Sequence, residues 1–141
     1  MTANQISVFV ENKSGALAQI TKELSDAGVN LRALSIAETH DFGVLRFIAD
    51  KEDTAVDVLR QAGHVLSVTP VLAVILKDEP GTFSKAVEAL AAANIDVEYV
   101  YAFLTPKLGT ACMIFRVEDN DTAEKVLRGA GFTLASQEDL I

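Results

Sequence analysis

Apolar residues recur along this chain at two spacings, and the spacings alternate in a fixed order. Ile6, Val8 and Val10 alternate with Ser7, Phe9 and Glu11, the period of a strand. Beyond Gly15, the residues Leu17, Ile20, Leu24 and Ala27 fall at helical spacing, and Gly28 supplies a stop. Extended runs from Leu31 to Ala37 and from Val44 to Ala49 flank polar residues that end at Asp41, the pattern of a hairpin. Asp53 or Thr54 then caps a second helix carrying Ala55, Val58, Leu59 and Ala62, closed by Gly63. A short strand from Val65 to Thr69 completes a βαββαβ unit.

The pattern then begins again. Gly15-Ala16-Leu17, Leu24, Ala27, Val29 and Asn30 realign on Gly81-Thr82-Phe83, Leu90, Ala93, Ile95 and Asp96 at a constant offset of 66. Asp53-Thr54-Ala55, Val58-Leu59-Arg60 and Ala62-Gly63 realign on Asp121-Thr122-Ala123, Val126-Leu127-Arg128 and Ala130-Gly131 at an offset of 68, so two residues are inserted in the second copy's hairpin, near Gly109 to Met113. Its elements are expected at Val71 to Lys77, Thr82 to Ala93, Val97 to Leu104, Ala111 to Val117, Thr122 to Ala130 and Thr133 to Ser136. The expected fold is α+β: two ferredoxin-like βαββαβ repeats, each an antiparallel sheet with helices on one face. The expected domains are residues 1–70 and 71–141, joined near Pro70.

A sheet with helices on one side and water on the other alternates apolar with polar residues. Val71 to Leu76 and Val100 to Leu104 are instead apolar at every position. Such strands are either central and hidden within one domain or covered on their second face by the other copy, a second chain, or both.

Composition narrows the functional classes. The 141 residues, half of them apolar, suffice for one average domain or two small ones with a real core. Twelve basic against twenty acidic residues give a net charge of −8, and the basic residues are scattered singly, which disfavours nucleic acid as a partner. Met1 to Gln5 resembles no secretory leader, and the apolar run Val71 to Leu76 is too short to cross a bilayer. The expectation is a cytoplasmic protein with no membrane partner, and the lone Cys112 is consistent with a reducing compartment.

Two corresponding turns are candidates for a binding site: Asn12-Lys13-Ser14-Gly15-Ala16-Leu17 and Asp78-Glu79-Pro80-Gly81-Thr82-Phe83. Each joins a strand to the start of a helix, where unpaired N–H groups and the positive end of the helix dipole favour a carboxylate. Asn12 and Asn30 would add amide donors and acceptors suited to a zwitterion, and Asp78 and Asp96 hold the equivalent positions in the second copy. The same residues also admit purely structural roles: Ser14 as an N-cap, Pro80 as a first-turn residue, the glycines as turn formers, and Asn30 or Asp96 as strand-entry residues.

Asn-Lys-Ser-Gly-Ala-Leu and Asp-Glu-Pro-Gly-Thr-Phe, each followed after a helix by Gly-Val-Asn-Leu or Asn-Ile-Asp-Val, resemble the D/N-x-x-P-G-x-L signature of ACT domains. The resemblance spans essentially the whole chain, twice, and is similar to that of stand-alone tandem ACT proteins. It implies a non-enzymatic regulatory protein that binds a free amino acid between paired domains, as a homodimer and without a cofactor or metal. The ligand would be held at Gly15 and by Asn12 and Asn30, as in serine-binding members. Ser14 departs from the usual proline, which Pro80 retains. An alternative is a regulatory subunit docking onto a separate amino-acid biosynthetic enzyme.

Other chemistry is sparse. His40 lies in a polar hairpin and His64 follows a helix end, neither at metal-ligand spacing; Cys112 sits in an apolar strand. Gly129-Ala130-Gly131 ends a helix and is not a dinucleotide loop. Small acylphosphatases share the fold plan, but their arginine-bearing loop has no counterpart between Ile6 and Leu17, where Lys13 is the only basic residue. Tyr99, Tyr101 and Phe103 could stack on RNA, although core or dimer packing suits an acidic chain better.

Overall fold

The computed structural model describes residues 1–38, 41–104 and 108–141. The chain divides into two compact units, Asn4–Thr69 and Pro70–Leu140, the second also taking in Met1–Ala3. The mixed α+β architecture is the expected one, a ferredoxin-like arrangement in each unit.

In the first unit, β1 (Ala3–Glu11), α1 (Ala16–Asp26), β2 (Leu31–Glu38), β3 (Phe42–Ala49) and α2 (Glu52–Gln61) follow in order, and β4 (Leu66–Lys77) begins. β3 lies between β1 and β2, antiparallel to both, with Val8 opposite Leu45 and Ile36 opposite Leu45 on the other side. Because side chains alternate across a strand, Ile6, Val8 and Val10 share a face with Leu45, Phe47 and Ala49. That face forms the core with Ile20 and Leu24 of α1 and Ala55 and Leu59 of α2. Leu17, which fits the same helical spacing, stays 38% exposed at the mouth of α1.

The second unit repeats this with α3 (Thr82–Ala92), β5 (Tyr99–Ala102), β6 (Thr110–Arg116), α4 (Asn120–Gly129) and β7 (Thr133–Ala135), and ends in a short α5 (Gln137–Leu140) that the apolar pattern does not announce. β4 pairs antiparallel with β6 and β7, and β6 pairs with β5. Leu72, Val74, Leu76, Phe115 and Val117 pack against Ala86, Leu90, Ala123 and Leu127.

Four details differ from expectation. The two strands expected on either side of Pro70 are one continuous β4; Pro70 lacks a donor, but its carbonyl accepts from Asn120 Nδ2 at 3.2 Å. β5 is shorter than the run from Val97 to Leu104. The inserted residues precede Thr110, because β6 pairs with β4 without a break from Thr110 to Phe115. The helices α2 and α4 begin earlier than Asp53 and Thr122. Their N-caps are the equivalent residues Lys51 and Asp119, of which only Asp119 caps with its side chain, accepting from Thr122 N at 3.1 Å and Thr122 Oγ1 at 2.6 Å. Those bonds hold the Asp119 carboxyl below the usual carboxylate range.

All four longer helices end alike. Gly28, Gly63, Asn94 and Gly131 have positive φ, and the residue after each sends its N–H back to a leucine carbonyl in the last turn: Val29 to Leu24, His64 to Leu59, Ile95 to Leu90 and Phe132 to Leu127. This closes the orphan carbonyls and, at Val29, Ile95 and Phe132, folds an apolar side chain back over the helix end.

Val71, Ala73, Cys112 and Ile114, on the face of β4 and β6 away from the helices, are buried. Tyr101 and Phe103 are buried as well, which agrees with packing and not with an open stacking surface. Burial pushes the Cys112 thiol up to about 11.

Leu24→Ala should cost about 2–5 kcal/mol in urea unfolding, whereas Leu17→Ala should cost less than about 1 kcal/mol, because only the first leaves a closed cavity. Cys112 should resist a thiol reagent at pH 8 in the native protein and react fully once the chain is unfolded.

Candidate functional site

β1 ends at Glu11, and the chain must turn sharply to place Ile20 and Leu24 over the sheet. Lys13 N–H donates to the Glu11 carbonyl at 2.8 Å, and Gly15, at φ 88°, forms the N-cap of α1 with no side-chain capping bond. The helical ladder opens with Gln19 N–H donating to the Gly15 carbonyl at 2.9 Å. Ser14 therefore does not act as the N-cap. The second unit builds the same turn: Glu79 N–H to Lys77 at 2.9 Å, Gly81 at φ 90°, and Lys85 N–H to Gly81 at 3.0 Å. Pro80 accordingly precedes the cap and lies outside the first helical turn. In both copies the cap is a left-handed glycine, a conformation that costs an L-residue about 1–2 kcal/mol.

The two turns differ in what fills them. Thr82 sends its hydroxyl to the Lys77 carbonyl at 2.7 Å and the Glu79 carbonyl at 3.1 Å, stitching the second turn shut from inside. Ala16 at the equivalent position has no such group. Phe83 lies against Phe115, ring centroids 5.9 Å apart, and stays partly exposed, as does its counterpart Leu17.

Two cavities flank the first turn. A groove of about 200 Å³ is lined by Val10, Glu11, Asn12, Lys13, Leu17, Ile36, Glu38 and Gly43. Gly43 opens its floor: a Cβ there would stand 3.4 Å from the Ala37 carbonyl oxygen and 3.7 Å from Ile36 Cγ2. Lys13 Nζ lies 3.0 Å from Glu11 Oε2, so the rim carries one cation beside the carboxylates of Glu11 and Glu38. A larger cleft of about 350 Å³ lies on the other flank, bounded by β1, α1 and the end of α2. Lys13 lines both cavities and Ala16 only the cleft, while Ser14 and Gly15 form the exposed turn between them.

The expected convergence of Asn12 and Asn30 is not found within one unit. Asn30 sits at the opposite end of β2 from Glu38, its N–H donating to Asp50 Oδ1 at 2.8 Å and its carbonyl accepting from Asp50 N–H at 3.1 Å. Helix length is the reason: the eleven residues of α1 carry the chain roughly 16 Å away from the turn before β2 starts back. Asp96 likewise precedes β5 at the end of the sheet away from Asp78. The strand residues that do approach the first turn, Ile36, Glu38 and Gly43, come from the returning hairpin. Pattern reading passes over them because each fits an ordinary strand role.

His64 Nε2 lies 2.7 Å from Glu23 Oε2, a carboxylate that its sequence neighbourhood does not reveal, and His40 falls outside the described residues. Among the described residues no cluster of His, Cys, Asp and Glu is arranged to hold a metal ion, and no helix is long and apolar enough to cross a membrane.

A family model described as an ACT domain pair matches residues 1–141, and the chain belongs to that family. ACT domains are regulatory modules, and an ACT domain pair implies regulation through a bound ligand. Protein BT0572 from Bacteroides thetaiotaomicron is 34% identical, with a TM-score of 0.92 over 99% of this chain and 96% of that one. The ligand-free regulatory subunit of aspartate kinase from Thermus thermophilus is 16% identical, with a TM-score of 0.67 over 91% and 89% of the two chains. At that identity the second likeness is one of fold. No curated protein matches the sequence.

Gly15→Ala should destabilise the protein by about 1–2 kcal/mol through backbone strain alone, since nothing lies within 4 Å of the added Cβ. Gly81→Ala should cost about the same, as measured by urea unfolding of each variant.

Proposed function

We propose that this protein is a non-enzymatic cytoplasmic sensor of a small free amino acid, and that the groove beside the first turn holds the ligand. The observation that carries this reading is the groove's composition. Lys13 and the amide end of α1 suit a carboxylate, Glu11 and Glu38 suit an ammonium, and the Asn12 amide can serve either. The second turn, closed by the Thr82 hydroxyl and flanked by Asp78 and Glu79, is a poorer carboxylate site, so the two repeats divide between binding and support.

A homodimer would complete the groove. β2 is bonded to β3 on one side and ends the sheet on the other. Pairing it antiparallel with a second copy about Ser35 would set Leu34 against Ile36 twice, covering side chains that are 40% and 48% exposed. In that register Asn30 of the partner subunit, five residues before the axis, falls beyond the Glu38 end of β2, the end of the strand that borders the groove. A ligand at such a seam favours one arrangement of the two subunits over others, which is how binding becomes a signal. A second reading, docking onto a separate amino-acid biosynthetic enzyme, is favoured by the apolar side chains exposed on the first unit, Phe9, Leu34 and Ile36. Recovery from the native host only as its own oligomer would count against it.

A thermal-shift screen of the common L-amino acids should single out one or a few small ones, with about 2.7 kcal/mol of stabilisation at a hundred times the dissociation constant. Asn12→Ala and Asn30→Ala should each weaken binding at least tenfold with little effect on the fold, and Gly15→Val should do worse. Mixing the two Asn variants should restore part of the binding, because a mixed dimer has one intact seam. A screen in which no amino acid shifts the melting temperature overturns the sensor reading; wild-type affinity in Asn30→Ala overturns only the shared seam.

A further inference from the structure

Gly43 is not among the glycines with positive φ, so the backbone does not call for glycine at that position. A glycine inside a strand weakens it, and often marks a place where another molecule comes close to the chain. Gly43 is buried in β3, opposite Val10 of β1 and Glu38 of β2, and it lines the groove. Its place in the strand puts it on the same face as Leu45 and Phe47, the side that carries the helices. A Cβ added there would meet the Ala37 carbonyl oxygen at 3.4 Å and Ile36 Cγ2 at 3.7 Å, both ordinary contact distances. The strand therefore has room for alanine, and the space left by the missing methyl belongs to the groove.

The second repeat carries that methyl. Ala111 stands opposite Leu76 as Gly43 stands opposite Val10, and Ala102 stands opposite Met113 as Ile36 stands opposite Leu45. At the places equivalent to five groove residues, Val10 is replaced by Leu76, Leu17 by Phe83, Glu38 by Leu104 and Gly43 by Ala111; of these five, Ile36 alone has a smaller apolar counterpart, Ala102. One scaffold thus accepts a Cβ at this point of the sheet in the second copy and omits it beside the groove in the first.

The groove is small enough for one methyl to matter. At about 30 Å³ for each water-sized group, its volume of about 200 Å³ holds roughly seven non-hydrogen atoms. The amine, α-carbon and carboxylate of an amino acid take most of them, leaving about two for a side chain. Glu11, Lys13 and Glu38 supply the charges, while Val10, Leu17, Ile36 and Gly43 supply the apolar surface, so the side chain is the part that meets Gly43.

We propose that Gly43 is the specificity-determining residue of the groove: its missing Cβ sets the largest side chain the ligand can carry, at about two non-hydrogen atoms. The inference rests on the groove being the ligand site. One methylene too many in such a pocket is worth about 10–200-fold in discrimination.

The test is calorimetric titration of the full chain with glycine, L-alanine, L-2-aminobutyrate, L-valine and L-leucine. The wild type should bind L-2-aminobutyrate at least tenfold more tightly than L-leucine. Gly43→Ala should weaken L-2-aminobutyrate at least tenfold and glycine less than threefold, with an unfolding midpoint equal to or above that of the wild type. Gly43→Val should extend the loss to L-alanine. Ala111→Gly, the reverse exchange in the second repeat, should leave every affinity within twofold. The proposal is overturned if Gly43→Ala weakens glycine and L-2-aminobutyrate equally, or leaves both unchanged; where Asn12→Ala still weakens binding, that result strikes the role of Gly43 and keeps the groove. If none of the five binds the wild type, the groove reading falls and the role of Gly43 falls with it.

Discussion

A left-handed glycine between the first strand and first helix of each repeat is the constraint on which the rest of the arrangement turns. Gly15 and Gly81 let the chain leave the end of a strand and enter a helix within four residues, with no side chain needed as a cap. The helix then lands with Ile20 and Leu24, or Ala86 and Leu90, over the sheet. That landing buries each core, and it leaves the first amides of the helix at the protein surface beside the strand ends. Core and candidate site are thus two consequences of one backbone conformation.

Duplication preserved the scaffold more faithfully than the chemistry placed on it. Helix endings, left-handed caps and core leucines correspond position by position, because each satisfies backbone groups or fills volume that both units must satisfy or fill. The turn interiors carry no such obligation. Thr82 closes one with two hydroxyl bonds; Ala16 leaves the other open between a groove and a cleft. The second turn also differs in charge, carrying Asp78 and Glu79 where the first has Asn12 and Lys13.

The cleft and the groove share Val10, Glu11 and Lys13, so one cation and one carboxylate of the first turn border both cavities.

Element order, the repeat, the helix faces and most helix endings were legible in the sequence, because strand and helix periodicities and turn glycines act over a few residues and need no knowledge of distant neighbours. Asn94 in place of a glycine, the uninterrupted β4 through Pro70 and the start of α2 at an uncapped Lys51 were not, since each depends on what the surrounding fold supplies. The site followed the same division. Gly15, Asn12 and Lys13 announce themselves as a turn, but whether Asn30 joins them depends on which end of the sheet an eleven-residue helix delivers the chain to. Local spacing determined the turn; only the tertiary structure decided that Ile36, Glu38 and Gly43 stand opposite it and that Asn30 does not, because the returning direction of β2 is set by long-range strand pairing.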